Sequence, residues 1–261
     1  MLKDVLFPPR CPVCGDVIPL ENRMKLHRFI SGVQSGRKGR TEPETLYAAV
    51  MCGGCRSIPV YITEPLCKKC GKQLNRSSPD GLCRDCAENE RRFEACRCVM
   101  TYDETLREIM AGLKYGSRKE YAFPLALMAA DALGQWLEET NADILVPVPV
   151  HRERLMTRGY NQAELIAEGI SLLTGIPVEK KLLVRERRTR VQKELTAAER
   201  AANLQNAFRT QGQLFGRTAV IVDDIYTTGA TMEACTEALL KAGTARVFGL
   251  CICAGEDKNA R

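Results

Sequence analysis

Residues Thr218 to Thr231 run TAVIVDDIYTTGAT, a short apolar stretch that ends in two acids and a small-residue turn. Ala219, Val220, Ile221 and Val222 are unbroken and bounded by Gly216 and Asp223, as expected of a strand buried on both faces of a parallel sheet. After the turn, Met232, Cys235, Ala238, Leu239 and Ala242 recur at helical spacing, and Gly243 closes the helix. The turn between them therefore lies at the carboxyl end of a parallel strand, where open α/β sheets place their ligands. Thr227, Thr228, Gly229, Ala230 and Thr231 offer backbone N–H groups and three hydroxyls at the amino end of that helix, which favours an anion. The Lys of the G-x-x-x-x-G-K-[ST] pattern is missing, so the cradle fits a monophosphate better than a nucleoside triphosphate. Asp223 and Asp224 would repel a phosphate, but as hydrogen-bond acceptors they suit vicinal ribose hydroxyls or a Mg²⁺-bound sugar. Two acids after a strand are by themselves an ordinary solvated turn. With TTGAT attached they read as a site for a phosphorylated ribose.

VIVDDIYTTGAT resembles the phosphoribosyl-pyrophosphate (PRPP) motif of type I phosphoribosyltransferases, and the chain as a whole is similar to the ComF competence family within them. Four C-x-x-C pairs carry the likeness further, with LKY at Leu113 to Tyr115, PVPV at Pro147 to Val150, and RGYNQ at Arg158 to Gln162. So do Arg188, Thr189, Gln192 and Leu195, spaced R-T-x-x-Q-x-x-L, and Arg200 with Asn203. The resemblance implies an α/β fold, a doubly wound and mainly parallel sheet preceded by a small cysteine-rich zinc-binding domain. It implies PRPP as ligand, with Mg²⁺ bridging diphosphate and sugar. Thr227 to Thr231 would hold the 5-phosphate, Asp223 and Asp224 the ribose hydroxyls, and the backbone of Val148, Pro149 and Val150 the diphosphate, with Arg158 and Lys114 adding positive charge. Arg185, Arg187, Arg188 and Arg190 would lie on a flap that closes over PRPP, and Asp223, Asp224 and Arg188 are the candidates for a catalytic role. Purine-salvage relatives commonly carry an Asp three residues after the acidic pair, where this chain has Thr227; an orotate-like or unconventional acceptor is therefore more consistent than hypoxanthine or guanine.

At 261 residues the chain is long enough for one substantial α/β domain and a smaller module. A composition shift near Arg91 and Arg92 puts the boundary there, giving a cysteine-rich module over 1–92 and a phosphoribosyltransferase-like domain over 93–261. No apolar run approaches the ~18–20 residues of a membrane span, and MLKDVLFPPRCPVC lacks the apolar core of a secretory signal, so a cytoplasmic protein without membrane insertion is expected. In that reducing compartment thirteen cysteines, eight of them in C-x-x-C pairs, point to thiolate metal ligation rather than disulfides.

Cys11, Cys14, Cys52, Cys55, Cys67, Cys70, Cys83 and Cys86 supply the thiolates of two Cys₄ zinc sites. Cys67, Cys70, Cys83 and Cys86 have zinc-ribbon spacing, twelve residues between the pairs, and Gly71 allows the tight turn of a knuckle. The first two pairs are far apart, and an interleaved pairing of all four stays open. Redox C-x-x-C chemistry is the competing reading, but that motif belongs beside a βαβ pattern. Cys96, Cys98, Cys251 and Cys253 read as packed core thiols.

Of the formal charge of +6, most lies ahead of residue 96, with sixteen Lys and Arg against eleven Asp and Glu over 1–95. Arg23 to Arg40 holds six basic residues and no acid. Such a run is ordinarily a solvated loop; the functional reading is an arm that contacts nucleic-acid phosphates. Two function classes follow: a phosphoribosyltransferase releasing pyrophosphate from PRPP, or a non-catalytic PRPP-responsive protein of DNA uptake whose basic zinc module touches single-stranded DNA or competence proteins.

Overall fold

Strands β1 (Cys96–Thr101), β2 (Ile144–Pro147), β5 (Thr218–Tyr226) and β6 (Arg246–Ala254) lie parallel in the order β1-β6-β5-β2, while β3 (Leu183–Arg185) and β4 (Phe208–Thr210) pair as an antiparallel ribbon. Helices α1 (Leu20–Gln34), α2 (Pro43–Ala48) and α3 (Arg84–Glu88) belong to the cysteine-rich segments. They are followed by α4 (Glu104–Tyr115), α5 (Ala122–Thr140), α6 (Arg152–Arg158), α7 (Gln162–Thr174) and α8 (Ala230–Lys241). The computed structural model describes residues 8–35, 43–74, 78, 80–186 and 207–255.

Alternation along β5 explains the layering. Val220 and Val222 face a core shared with α5 and α7, whereas Ala219 and Ile221 face one shared with Met232, Cys235 and Leu239 of α8. Both sides are fully covered, which is why the strand is a continuous apolar run. The handedness of crossovers places these helices. The chain steps outward from β1 to β2 and on to Val178, which bridges Leu145 in parallel, and this direction puts α5 and α7 on one face. From β5 to β6 it steps back, so α8 covers the other face. Between β2 and β5 the connections diverge, and the loops that follow these strands flank a crevice of the kind that binds ligands in doubly wound sheets.

The cysteine-rich segments straddle the sheet. Residues 60–62 run antiparallel along the outer edge of β1, with Ile62 N donating to Val99 O at 3.0 Å and Thr101 N to Val60 O at 2.8 Å, which covers an edge strand that would otherwise be open. Cys11 and Cys55 join the core on the α5 face, and Cys67, Cys70, Cys83 and Cys86 join the one on the α8 face.

Two local expectations are corrected. The basic run from Arg23 is helical as far as Gln34 rather than a loop, with Arg23 buried; its residues 36–40 lie outside the described ones. RGYNQ reads as the start of a helix running from Gly159 to Leu173, but the helix begins instead at Gln162, because Gly159 is left-handed at φ 78° and Asn161 caps the new helix, accepting from Ala163 N at 3.1 Å. The preceding turn is α6, which the sequence reading did not resolve; His151 caps it, its Nδ1 accepting from Glu153 N. No helix among the described residues is long and apolar enough to cross a membrane.

Candidate phosphoribosyl site

Asp223 and Asp224 stand near the carboxyl end of β5 and, as successive strand residues, point to opposite faces. Asp224 is buried, and Lys114 Nζ at the end of α4 lies 2.5 Å from its Oδ2. The same oxygen accepts from Gln162 Nε2 at 3.3 Å. Burial alone would raise this carboxyl, but the adjacent Lys114 ammonium outweighs it and holds Asp224 below the ordinary range. Burial would likewise lower Lys114, and Asp224 reverses that, so its ammonium persists. Asp223 is partly exposed; burial, then the charge of Asp224, pushes it well above the usual carboxylate value. The two acids are thus unequal: one is neutralised by a cation, while the other is left to answer to a ligand.

Beyond them Thr227 is exposed, Thr228 half-buried and Gly229 buried at the start of α8. Only glycine fits at 229. Its φ is +76°, and a Cβ there would stand 2.1 Å from the Tyr226 hydroxyl. That hydroxyl is itself buried beneath the loop without a hydrogen-bond partner among the described residues. Arg91 Nη2 donates to Thr228 O at 2.8 Å, and Arg92 N donates to Glu233 Oε2 at 3.0 Å on the first turn of α8.

The loop after β2 faces this cradle across the crevice. Val148 N donates to Val222 O at 2.9 Å, and Val148 O accepts from Asn161 Nδ2 at 3.0 Å, so the start of Val148-Pro149-Val150 is held on both sides. RGYNQ ties the site together residue by residue. Arg158 bonds Gln162 Oε1, Tyr160 OH donates to Leu113 O beside Lys114, Asn161 holds Val148, and Gln162 reaches Asp224. Of the expected site residues, Lys114, Arg158 and Asp224 meet through these bonds, Asp223 accepts from Asp224 N at 2.8 Å, and Val148 is held by Asn161, next to Gln162 in the chain. Arg185 lies on β3, its guanidinium 5.6 Å over the Phe208 ring, and its charge reaches Asp223. Arg187, Arg188 and Arg190, together with Thr189, Gln192, Arg200 and Asn203, lie outside the described residues.

The eight knuckle cysteines fall into two groups. Cys11, Cys14, Cys52 and Cys55 converge, as do Cys67, Cys70, Cys83 and Cys86, the sulfurs of each group lying within 4.8 Å of one another; the interleaved pairing is excluded. Gly71, at φ +70°, packs so tightly that a Cβ would stand 2.6 Å from Cys96 O, which ties the second knuckle to β1.

The phosphoribosyl transferase domain family matches residues 124–261, more than half of the chain. The chain is 33% identical over 195 residues to the DNA utilization protein YhgH of Salmonella typhimurium, covering 72% of this chain and 83% of that one. It belongs to the ComF family. Competence protein F of Haemophilus influenzae, 29% identical over 77% of this chain and 89% of its own length, and competence protein ComFC of Bacillus subtilis, 28% identical over 75% and 80%, are similar as well. In this ComF-family chain the matched domain holds β2, the cradle and RGYNQ, while Lys114 and Arg91 come from ahead of it.

Proposed function

We propose that the crevice between β2 and β5 binds PRPP. The observation that carries this is the convergence of a small-residue helix start, an acidic pair and a fixed proline loop at the switch point of a parallel sheet. Backbone N–H groups of Thr227 to Thr231 take the 5-phosphate. Asp223 and the remaining acceptor capacity of Asp224 take the ribose hydroxyls, and the Val148-Pro149-Val150 loop meets the diphosphate with Arg158 nearby. Mg²⁺ would supply charge neutralisation on the diphosphate; the partly exposed Asp223 is the acid suited to it, since Lys114 already neutralises Asp224 and an arriving cation would displace the proton that Asp223 otherwise keeps. Departure of pyrophosphate would be helped by positioning and by fixed positive charge rather than by covalent chemistry. The two cysteine groups fit structural zinc, each offering four thiolates and therefore a closed tetrahedral shell.

Calorimetry with Mg²⁺ and PRPP tests this reading. The native chain is expected to bind, and Asp223→Asn, which leaves the Lys114 ion pair intact, to abolish or cut binding by at least ~10-fold, the loss of one or more charge-assisted hydrogen bonds. No binding heat with the native chain overturns it. Pyrophosphate release measured with a panel of bases then separates a transferase from a PRPP-responsive binding protein.

The names of the relatives, DNA utilization and competence proteins, favour the second of these, with the basic cysteine-rich segments contacting single-stranded DNA. Single-strand affinity should then fall steeply with salt and weaken when Lys25 and Arg28 on α1 are replaced by Gln. Salt-independent binding, or none, excludes that role.

A further inference from the structure

A third group of cysteines lies outside both knuckle sets. Cys98 on β1 and Cys251 on β6 are register partners, and Cys96 stands two residues before Cys98, on the same face of the sheet. The three sulfurs lie within 4.8 Å of one another, and all three residues are buried, at 0%, 4% and 0% exposure for Cys96, Cys98 and Cys251. The register partner of Cys96 is Gly249. This two-by-two block therefore holds three thiols and one missing side chain. A Cβ on Gly249 would stand 2.7 Å from Met232 Sδ and 2.9 Å from Cys96 Sγ, so the glycine's space is filled by a thioether reaching in from α8. Four sulfurs from two adjacent strands and one helix thus gather in the buried core.

We propose that Cys96, Cys98 and Cys251, with Met232 beside them, form a binding site for a thiophilic monovalent ion, Cu(I). The donor set decides the metal class. Soft thiolates and a thioether select Cu(I), whereas Mg²⁺ and Ca²⁺ need oxygen donors. Zinc prefers four strong ligands, and this group offers three thiolates and one weak donor. Binding displaces the protons of the ligating thiols to solvent and involves no electron transfer when the ion is supplied as Cu(I). Arg97, whose guanidinium donates to Cys96 O at 3.0 Å, brings one positive charge beside the group, while the buried Lys72 is already paired with Asp85 at 3.0 Å. The pocket also touches the neighbouring knuckle, Cys98 Sγ lying 3.6 Å from Cys70 O.

Metal counting tests the site. The full chain, as isolated, is titrated anaerobically with chelator-buffered Cu(I), and the ions bound are counted by native mass spectrometry. The native chain should hold one Cu(I) more than Cys251→Val or Cys96→Ala, whatever metal fills the two knuckle groups, and its first Cu(I) should show a sulfur-only shell by X-ray absorption without release of other metal. Equal counts in native and variant chains, or a first equivalent that enters only by expelling metal from the knuckles, overturn the proposal and leave the three cysteines as packed core thiols. Val suits the strand at 251 and Ala removes only a sulfur at 96, so if one variant fails to fold the other still gives the count.

Discussion

Asp224→Ala is expected to destabilise the folded chain by about 3–5 kcal/mol, because it strands the Lys114 ammonium in a buried site. The two side chains are 19% and 8% exposed for Lys114 and Asp224, far from the solvated surface pairs that contribute about 0–1 kcal/mol. Replacing both partners, Lys114→Met with Asp224→Asn, removes both charges and leaves Gln162 an acceptor. That double variant should therefore recover most of the lost stability. The pH dependence follows from the directions of the shifts. Asp224 is depressed in the fold, so its contribution is complete above the ordinary value of 3.8 and is lost as pH falls through the lower folded value. Lys114 is raised, so its contribution is complete below the ordinary 10.5 and is lost only as pH rises through the higher folded value. Urea unfolding of the three chains near neutral pH decides the matter. A loss under about 1 kcal/mol for Asp224→Ala would mean that the pair behaves as a surface contact.

That ion pair marks where sequence reading stopped. Lys114 stood out as part of LKY, and Asp224 as part of the acidic pair, but they are far apart in the chain and nothing in their spacing joins them. The sheet joins them: α4 follows the edge strand β1, and β5 is inserted only after two crossovers. RGYNQ was visible as a motif with no assigned task beyond Arg158. The tasks of Tyr160, Asn161 and Gln162 depend on three separate partners, Leu113, Val148 and Asp224, which only the folded chain brings within reach. By contrast, β5 and α8 were legible because both signals are local: an unbroken apolar run and a helical repeat that starts at a glycine. The cysteine knuckles were half legible. Short spacing identifies each C-x-x-C pair, and the zinc-ribbon spacing joined the last two, but pairing the first two across residues 15–51 needed the third dimension.

The folded chain also removes the apparent independence of the cysteine-rich segments from the site, and this leads to the second large effect. If Cys67, Cys70, Cys83 and Cys86 hold a structural zinc as proposed, Cys83→Ala is expected to abolish its binding and with it much of the folding free energy that such a zinc contributes, about 10 kcal/mol or more in isolated zinc modules. The damage should not stay local. Lys69 O accepts from Cys96 N at 2.7 Å, Glu94 N donates to Val247 O at 2.8 Å, and Arg91, five residues beyond Cys86, donates to Thr228 O in the proposed phosphate cradle. When the knuckle opens, Arg91 loses its anchor, and the loop it fixes loses a charge-assisted hydrogen bond of about 1.5–3 kcal/mol. PRPP affinity should therefore drop together with zinc content. Arg91→Ala separates the two causes: it should leave zinc content unchanged and cost no more stability than that one hydrogen bond, about 1.5–3 kcal/mol, yet weaken PRPP binding by about 10-fold or more, the equivalent of ~1.4 kcal/mol per decade. Zinc-depleted chain that still binds PRPP with native affinity, or an Arg91→Ala variant that binds unchanged, would show that the cradle stands without the module behind it. A loss in both, with zinc retained in the arginine variant, would make the knuckle and the phosphate loop one energetic unit that is built from both ends of the chain.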